Sequence, residues 1–117
     1  MPARLTEQER ILRDTTEHHW QKIVTQIMDA YGWTWWHAPD NRPGRNGRVQ
    51  NVRPGLPDLI AVRGKRLIFA ELKRETGRTT PEQDDALAKL GETHAETYVW
   101  RPRDREEVLR VLAPNWS

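Results

Sequence analysis

The 117 residues are 36% hydrophobic and 31% charged with a formal net charge of +2; that is chain enough for one modest core, and no apolar run approaches the length of a transmembrane helix. There is no Cys, and the only Ser is Ser117, which excludes disulfides and thiolate metal sites and leaves a Ser or Cys hydrolase without its nucleophile. The N-terminal MPARLTEQER lacks the apolar segment of a secretory signal, so a cytoplasmic location is expected.

Thr6-x-x-Glu9 is a capping-box pattern, and Ile11-Leu12 follow it, which predicts a short amphipathic helix. Residues 1–15 therefore read as a helical extension and residues 16–117 as one domain. Thr15 or Thr16 caps a second helix in which Trp20, Ile23, Val24, Ile27, Met28 and Tyr31 recur on one face. Glu17 stands at the N-terminal end of that stripe, where it can approach the rim of a sheet, although a helix dipole favours an acid in any first turn. His18 and His19 lie about 100° apart around the helix, so they do not readily chelate one ion and are read as surface groups or groups behind a site.

Gly32 ends the helix. Trp33–Ala38 is an aromatic strand with Trp33 and Trp35 on one face and Trp36 on the other. Core packing is the default for these tryptophans, and stacking on an unpaired base is the alternative. His37 ends the strand as a structural hydrogen-bonding group, a phosphate contact being its alternative reading. Residues 39–54, rich in Gly, Pro, Asn and Arg, form an irregular loop that is long for a domain of this size and a candidate for touching substrate.

Leu59–Val62 and Leu67–Ala70 are short apolar runs joined by Arg63-Gly64-Lys65-Arg66, which predicts an antiparallel hairpin. Its far ends bring Pro57-Asp58 beside Glu71-Leu72-Lys73. Alternation points Glu71 and Lys73 one way and Leu72 into the core. Two carboxylates and an amine thus converge on one rim. Crowded carboxylates repel each other unless a cation sits between them, and a divalent, oxygen-preferring metal is the simplest resolution. The Leu72 carbonyl is a further oxygen donor suited to such an ion. An isolated Glu-x-Lys would read as ordinary solvated charge; its placement after an apolar strand and opposite Asp58 gives it the other meaning.

Thr80-Pro81-Glu82-Gln83 opens a third helix with a complete capping box. Ala86, Leu87 and Leu90 bury it and Gly91 stops it. Thr97–Trp100 is a further strand, and Asp104–Leu112 a closing helix. Charge is unevenly spread: residues 42–78 hold ten Lys/Arg against three acids, the remainder nine against 14. This places positive charge around the carboxylates, as contact with a phosphate backbone requires. Arg45, Arg48, Arg53, Arg74 and Arg78 are the candidate contacts.

Pro57-Asp58 followed by Glu71-Leu72-Lys73 resembles the motif of the PD-(D/E)XK nucleases. Gly55–Leu59, Ala70–Lys73, Gly77-Arg78, Pro81–Gln83 and Tyr98–Pro102 narrow the resemblance to the VRR-NUC (virus-type replication-repair nuclease) family, over roughly residues 16–112. The resemblance implies an α/β, restriction-endonuclease-like αβββαβ core, a mixed central sheet flanked by helices; the element order read above agrees with it. It further implies an Mg²⁺- or Mn²⁺-dependent endodeoxyribonuclease, with Asp58, Glu71, Lys73 and Gln83 catalytic and Glu17 joining Asp58, Glu71 and Leu72 at the metal. It implies DNA as partner, branched DNA such as four-way junctions as substrate, and a homodimer, with flap or end processing as the alternative. Residues 39–54 depart from the family's commoner short connection. A non-catalytic nucleic-acid-binding module is the rival of another class; against it, unmetallated carboxylates would repel phosphate.

Overall fold

The computed structural model of the chain describes residues 4–38 and 53–114. Its elements are α1 (Glu7–Asp14), α2 (Glu17–Ala30), β1 (Thr34–His37), β2 (Leu59–Arg63), β3 (Arg66–Leu72), α3 (Pro81–Gly91), β4 (Glu96–Trp100), a 3₁₀ turn (Pro102–Asp104) and α4 (Arg105–Leu112). Among the described residues, no helix is long and apolar enough to cross a membrane. The loop expected at 39–54 lies outside the described residues up to position 52.

The strands lie in the order β1-β2-β3-β4. β1, β2 and β3 are antiparallel neighbours, and β4 runs parallel to β3, α3 returning the chain as the crossover helix. The mixed sheet and the αβββαβ order are those expected. The hairpin turn is tighter than the four residues assigned to it: β2 extends to Arg63 and β3 starts at Arg66, so only Gly64 and Lys65 turn the chain. Gly64 has φ +59°, the left-handed value a two-residue hairpin with Gly first requires.

Strand register decides what is buried. Leu59 pairs with Ala70, Ala61 with Ile68 and Leu72 with Trp100, so these side chains share a face. Together with Trp20, Val24 and Met28 of α2, Trp33, and Val108 and Leu112 of α4 they form the core. Ile60 and Phe69 on the opposite face are half-buried. Trp33 is buried, Trp35 packs against the core, and Trp36 projects to solvent at 52% exposure, as alternation predicts.

Three corrections to helix and strand ends have local causes. Gly91 is the last residue of α3 and Glu92 its cap. The closing helix is preceded by the 3₁₀ turn, in which Asp104 accepts a hydrogen bond from the Arg101 amide at 2.8 Å. Trp33 stands before β1, its amide donating to the Met28 carbonyl at 2.9 Å. The helix caps match the sequence reading: Thr6, Thr16 and Thr80 each accept from the amide three residues on, satisfying donors that a helix leaves unpaired.

Candidate active site

Three elements meet at the rim of the sheet where β2 begins and β3 ends. The Asp58 backbone is held there by β1, its carbonyl accepting from the Ala38 amide at 2.8 Å. Its side chain crosses to the neighbouring strand, where Oδ2 accepts from the Leu72 amide at 3.0 Å. Glu71 and Leu72 are the last residues of β3. Lys73 follows, its amide bonded to the Trp100 carbonyl at 3.1 Å. The same carbonyl accepts from the Trp20 indole at 2.9 Å, so α2 is fastened to β4 next to Lys73. Glu17, one turn earlier on the same helix face, is delivered to the rim by that clamp.

The depth of Glu71 is a feature of the rim that the sequence reading does not state, and it matters for the chemistry. Glu71 is 1% exposed, a buried acid rather than a solvated one. Its Oε1 accepts from Gln83 Nε2 at 3.0 Å and lies 3.7 Å from Lys73 Nζ. Its Oε2 is buried with no hydrogen-bond partner. Burial first, then the charge of Asp58 and the hydrogen bond that the protonated acid makes with the Asp58 carboxylate, push the Glu71 carboxyl up to about 8, and Lys73 only partly opposes this. Glu17 is raised in the same direction by desolvation of its carboxyl, then by Asp58, with Lys73 pulling the other way. The three acids are therefore near enough for their charges to act on one another, and among the described residues Lys73 is a cation that acts on both glutamates.

A buried carboxylate with an unpartnered oxygen is costly. A proton removes the cost, as the raised proton affinity records; so does a cation. The donor set fits a hard divalent ion, being carboxylate oxygens with a backbone carbonyl nearby and no sulfur. Asp58 and Glu71 are the carboxylates on which such an ion would draw first. Among the described residues no three His, Cys, Asp or Glu side chains are drawn together as a ready ligand set, and Glu17 is exposed where Glu71 is buried.

Gln83 makes both a capping contact and a contact with Glu71. Its Oε1 accepts from the Thr80 amide at 2.9 Å, completing the capping box of α3, while its Nε2 holds Glu71. One side chain thus ties the start of α3 to the buried acid. Gly55 matters here in a way the sequence pattern does not reveal. It has φ +105°, and a Cβ at this position would lie 2.3 Å from the Glu82 carbonyl oxygen. Only glycine lets the segment leading to Asp58 pass so close under the first turn of α3. The Gly-x-Pro preceding Asp58 was the available signal, but not the partner it approaches.

The basic residues divide. Arg74 and Arg78 are exposed in the segment after Lys73. Arg53 is exposed and reaches Asp85 of α3 at 3.9 Å. Arg45 and Arg48 lie outside the described residues. Arg63 and Arg66, counted above with the positive charge around the carboxylates, sit instead at the opposite end of the hairpin. Their guanidiniums are 4.9 and 5.0 Å from the centre of the Trp33 ring. Arg63 also donates to the carbonyls of Tyr31 and Leu112, at 3.0 Å each. The local excess of charge is thus partly structural, because a hairpin sends residues adjacent in sequence to opposite ends of a sheet. His18, His19 and His37 are exposed, and His37 makes an edge-to-face contact with Trp35, ring centres 5.2 Å apart.

No family model matches the sequence, and no curated protein matches it. A solved structure described as a VRR_NUC domain shares the fold, with TM-score 0.62 and 19% identity over 81% of this chain and 96% of that one.

Proposed function

We propose that the chain is a VRR-NUC nuclease, an Mg²⁺- or Mn²⁺-dependent endodeoxyribonuclease acting on phosphodiester bonds. The observation that carries this reading is Glu71, a buried carboxylate with one unpartnered oxygen, beside Asp58, Lys73 and Gln83. Asp58 and Glu71 would hold the ion, with Glu17 and the Leu72 carbonyl as further oxygen donors. Bound there, a divalent ion supplies charge to stabilise the phosphoryl oxygens and makes a water more acidic. Lys73 does not ligate while protonated. Its Nζ, with the side chain 15% exposed, faces both Glu71 and solvent, which suits it to orient the attacking water and to exchange a proton with it. Gln83 fixes the orientation of Glu71 by donating from its Nε2 to Glu71 Oε1. Arg53, Arg74 and Arg78, with Arg45 and Arg48, supply positive charge for the phosphate backbone.

The preferred substrate in this reading is branched DNA, cut by a homodimer, because two sites related by a twofold axis suit paired incisions. Leu5, Ile11 and Trp36 are exposed apolar side chains on which such a pairing could draw. Cleavage of labelled linear, single-stranded, flapped and four-way-junction DNA in Mg²⁺ and Mn²⁺, with Lys73→Ala alongside, tests the proposal. Metal-dependent cutting lost in the variant supports it, and the preferred substrate separates junction resolution from flap or end processing. Metal-independent binding without cutting in either ion overturns it in favour of a binding module.

A further inference from the structure

Beside the carboxylate rim, on the flank of α2 over the edge strand β1, lies an open cavity of about 180 Å³ lined by His18, Gln21, Lys22, Thr25, Trp35 and His37. Its floor is spoken for. The Thr25 hydroxyl is bonded to the carbonyls of Gln21 and Lys22, at 3.0 and 3.2 Å, and the Trp35 indole donates to Asp29 Oδ1 at 2.8 Å. The rim of the cavity is different. Among the described residues, the side chains of His18, Gln21, Lys22 and His37 take part in no hydrogen bond or ion pair with one another or with other side chains. All four can donate: two imidazoles, an amide and an ammonium. No carboxylate lines the cavity; Asp29 is engaged by Trp35, and Glu17 is the residue before His18.

Both walls run directly into the proposed active site. On the helix wall, His18 follows Glu17, and Lys22 stands on the same face as His18 one turn later. On the strand wall, His37 pairs with Leu59, and the next residue, Ala38, bonds the Asp58 carbonyl at 2.8 Å. A polymer whose reacting phosphate sits at Asp58 and Glu71 would lay its neighbouring backbone along this cleft. The volume, several times the ~30 Å³ of a water molecule, accommodates a phosphodiester group with some of its hydration.

We propose that His18, Gln21, Lys22 and His37 form a binding subsite for a backbone phosphate of the nucleic-acid strand, adjacent to the phosphate that is cut. Lys22 supplies the permanent charge, and the imidazoles and Gln21 supply directional donors that set the strand's register. The subsite rests on the nuclease reading for its orientation but not for its existence.

The test is binding, read separately from cleavage. Labelled duplex and four-way-junction DNA are titrated by fluorescence polarisation over a series of salt concentrations, in a Lys73→Ala background that keeps the strands whole. Lys22→Gln combined with His37→Gln should weaken binding about tenfold and flatten the dependence of log Kd on log salt by about one, the mark of one lost phosphate contact. Lys22→Arg should keep most of the affinity. Arg110→Gln, which removes one charge from the exposed surface of α4, should change neither. Because the substituted side chains are exposed, thermal midpoints should stay at the background value. An unchanged Kd and salt slope in the double variant overturns the subsite; so does an equal loss in Arg110→Gln, which would mean diffuse attraction, and so does an absence of any DNA affinity. If the unsubstituted chain binds DNA through this cleft yet cuts none, the subsite stands and the nuclease reading falls.

Discussion

β3 and β4 carry a glutamate at each end of their pairing, and the two are built to opposite specifications. Near the hairpin turn, Glu96 receives Arg66 through Nε at 2.8 Å and Nη2 at 2.7 Å, and the Tyr98 hydroxyl at 2.8 Å. The Arg66 hydrogen bonds are foremost in holding its carboxyl below the ordinary range. At the other end of β3, Glu71 has an amide and a more distant ammonium on one oxygen and nothing on the other, and burial drives its proton affinity up. The chain can satisfy a carboxylate fully where it only needs to hold a sheet together. Where one is buried and incompletely matched, next to a second acid, it is a candidate for chemistry rather than for holding the sheet.

The largest effects should come from the incomplete end. Asp58→Ala and Glu71→Ala should each lower cleavage by about 10³-fold or more and abolish Mn²⁺ binding in isothermal titration, whereas Lys73→Ala should lower cleavage as far and leave Mn²⁺ bound. Equal loss of metal in all three variants would defeat the division of roles. Glu96→Ala, at the satisfied end, should cut at the normal rate per folded molecule.

Much of this asymmetry is legible in the sequence, and the part that is not has a physical cause. Two apolar runs, a Gly-containing turn and period-two alternation suffice to bring Asp58 opposite Glu71-Leu72-Lys73, because register is a local property of a hairpin. Thr80-Pro81-Glu82-Gln83 announces its helix cap for the same reason. The depth of Glu71 is not local. It is set by α2, fastened through Trp20 to the Trp100 carbonyl, and by α3, which lays Gln83 against Oε1. The close passage of Gly55 beneath Glu82 likewise depends on where a helix 27 residues later comes to rest. Arg63 and Arg66 show the converse error: counted by sequence window they belong to the active site, but the strand between carries the site to the far end of the sheet.

Acidity sharpens the comparison and has opposite signs at the two ends. Glu71 titrates near 4.5 when unfolded and near 8 in the folded, metal-free chain. Its contribution is therefore complete below about pH 4.5 and is lost as pH rises to about 8, by up to a few kcal/mol. Glu96 is lowered, so its contribution is present above about pH 4.5 and is lost as pH falls through its folded value. In chelator, urea unfolding at pH 8 should show Glu71→Gln more stable than the parent chain and Glu96→Gln less stable. Saturating Mn²⁺ should reverse the first difference by stabilising only the parent. A Glu71→Gln chain no more stable than the parent at pH 8 in chelator would mean that the buried carboxylate is not under electrostatic stress.

Gly55→Ala probes the same stress through the backbone. A positive φ of 105° and a Cβ 2.3 Å from a carbonyl oxygen cannot be relieved by a rotamer change, because the obstacle is backbone. The substitution should cost about 2 kcal/mol and should also slow cleavage, since the first turn of α3 must retreat and take Gln83 with it. Loss of stability with an unchanged cleavage rate would show that Glu71 keeps its orientation without the helix.

The smallest effect separates the two roles of Gln83. Thr80→Ala removes the hydroxyl that accepts from the Gln83 amide at 3.2 Å and leaves the Nε2 bond to Glu71 in place, so it should cost about 1 kcal/mol of stability with little change in cleavage. Gln83→Ala removes the reciprocal half of the cap and the contact with Glu71 together; it should cost a similar amount of stability and about tenfold in cleavage, because the acid is then free to turn. The thermal midpoints of the two variants should nearly coincide while their rates diverge. If Thr80→Ala slows cleavage as much as Gln83→Ala, the seating of α3 rather than the amide on Oε1 orients Glu71, and the satisfied and unsatisfied ends of the sheet differ by packing instead of by a single hydrogen bond.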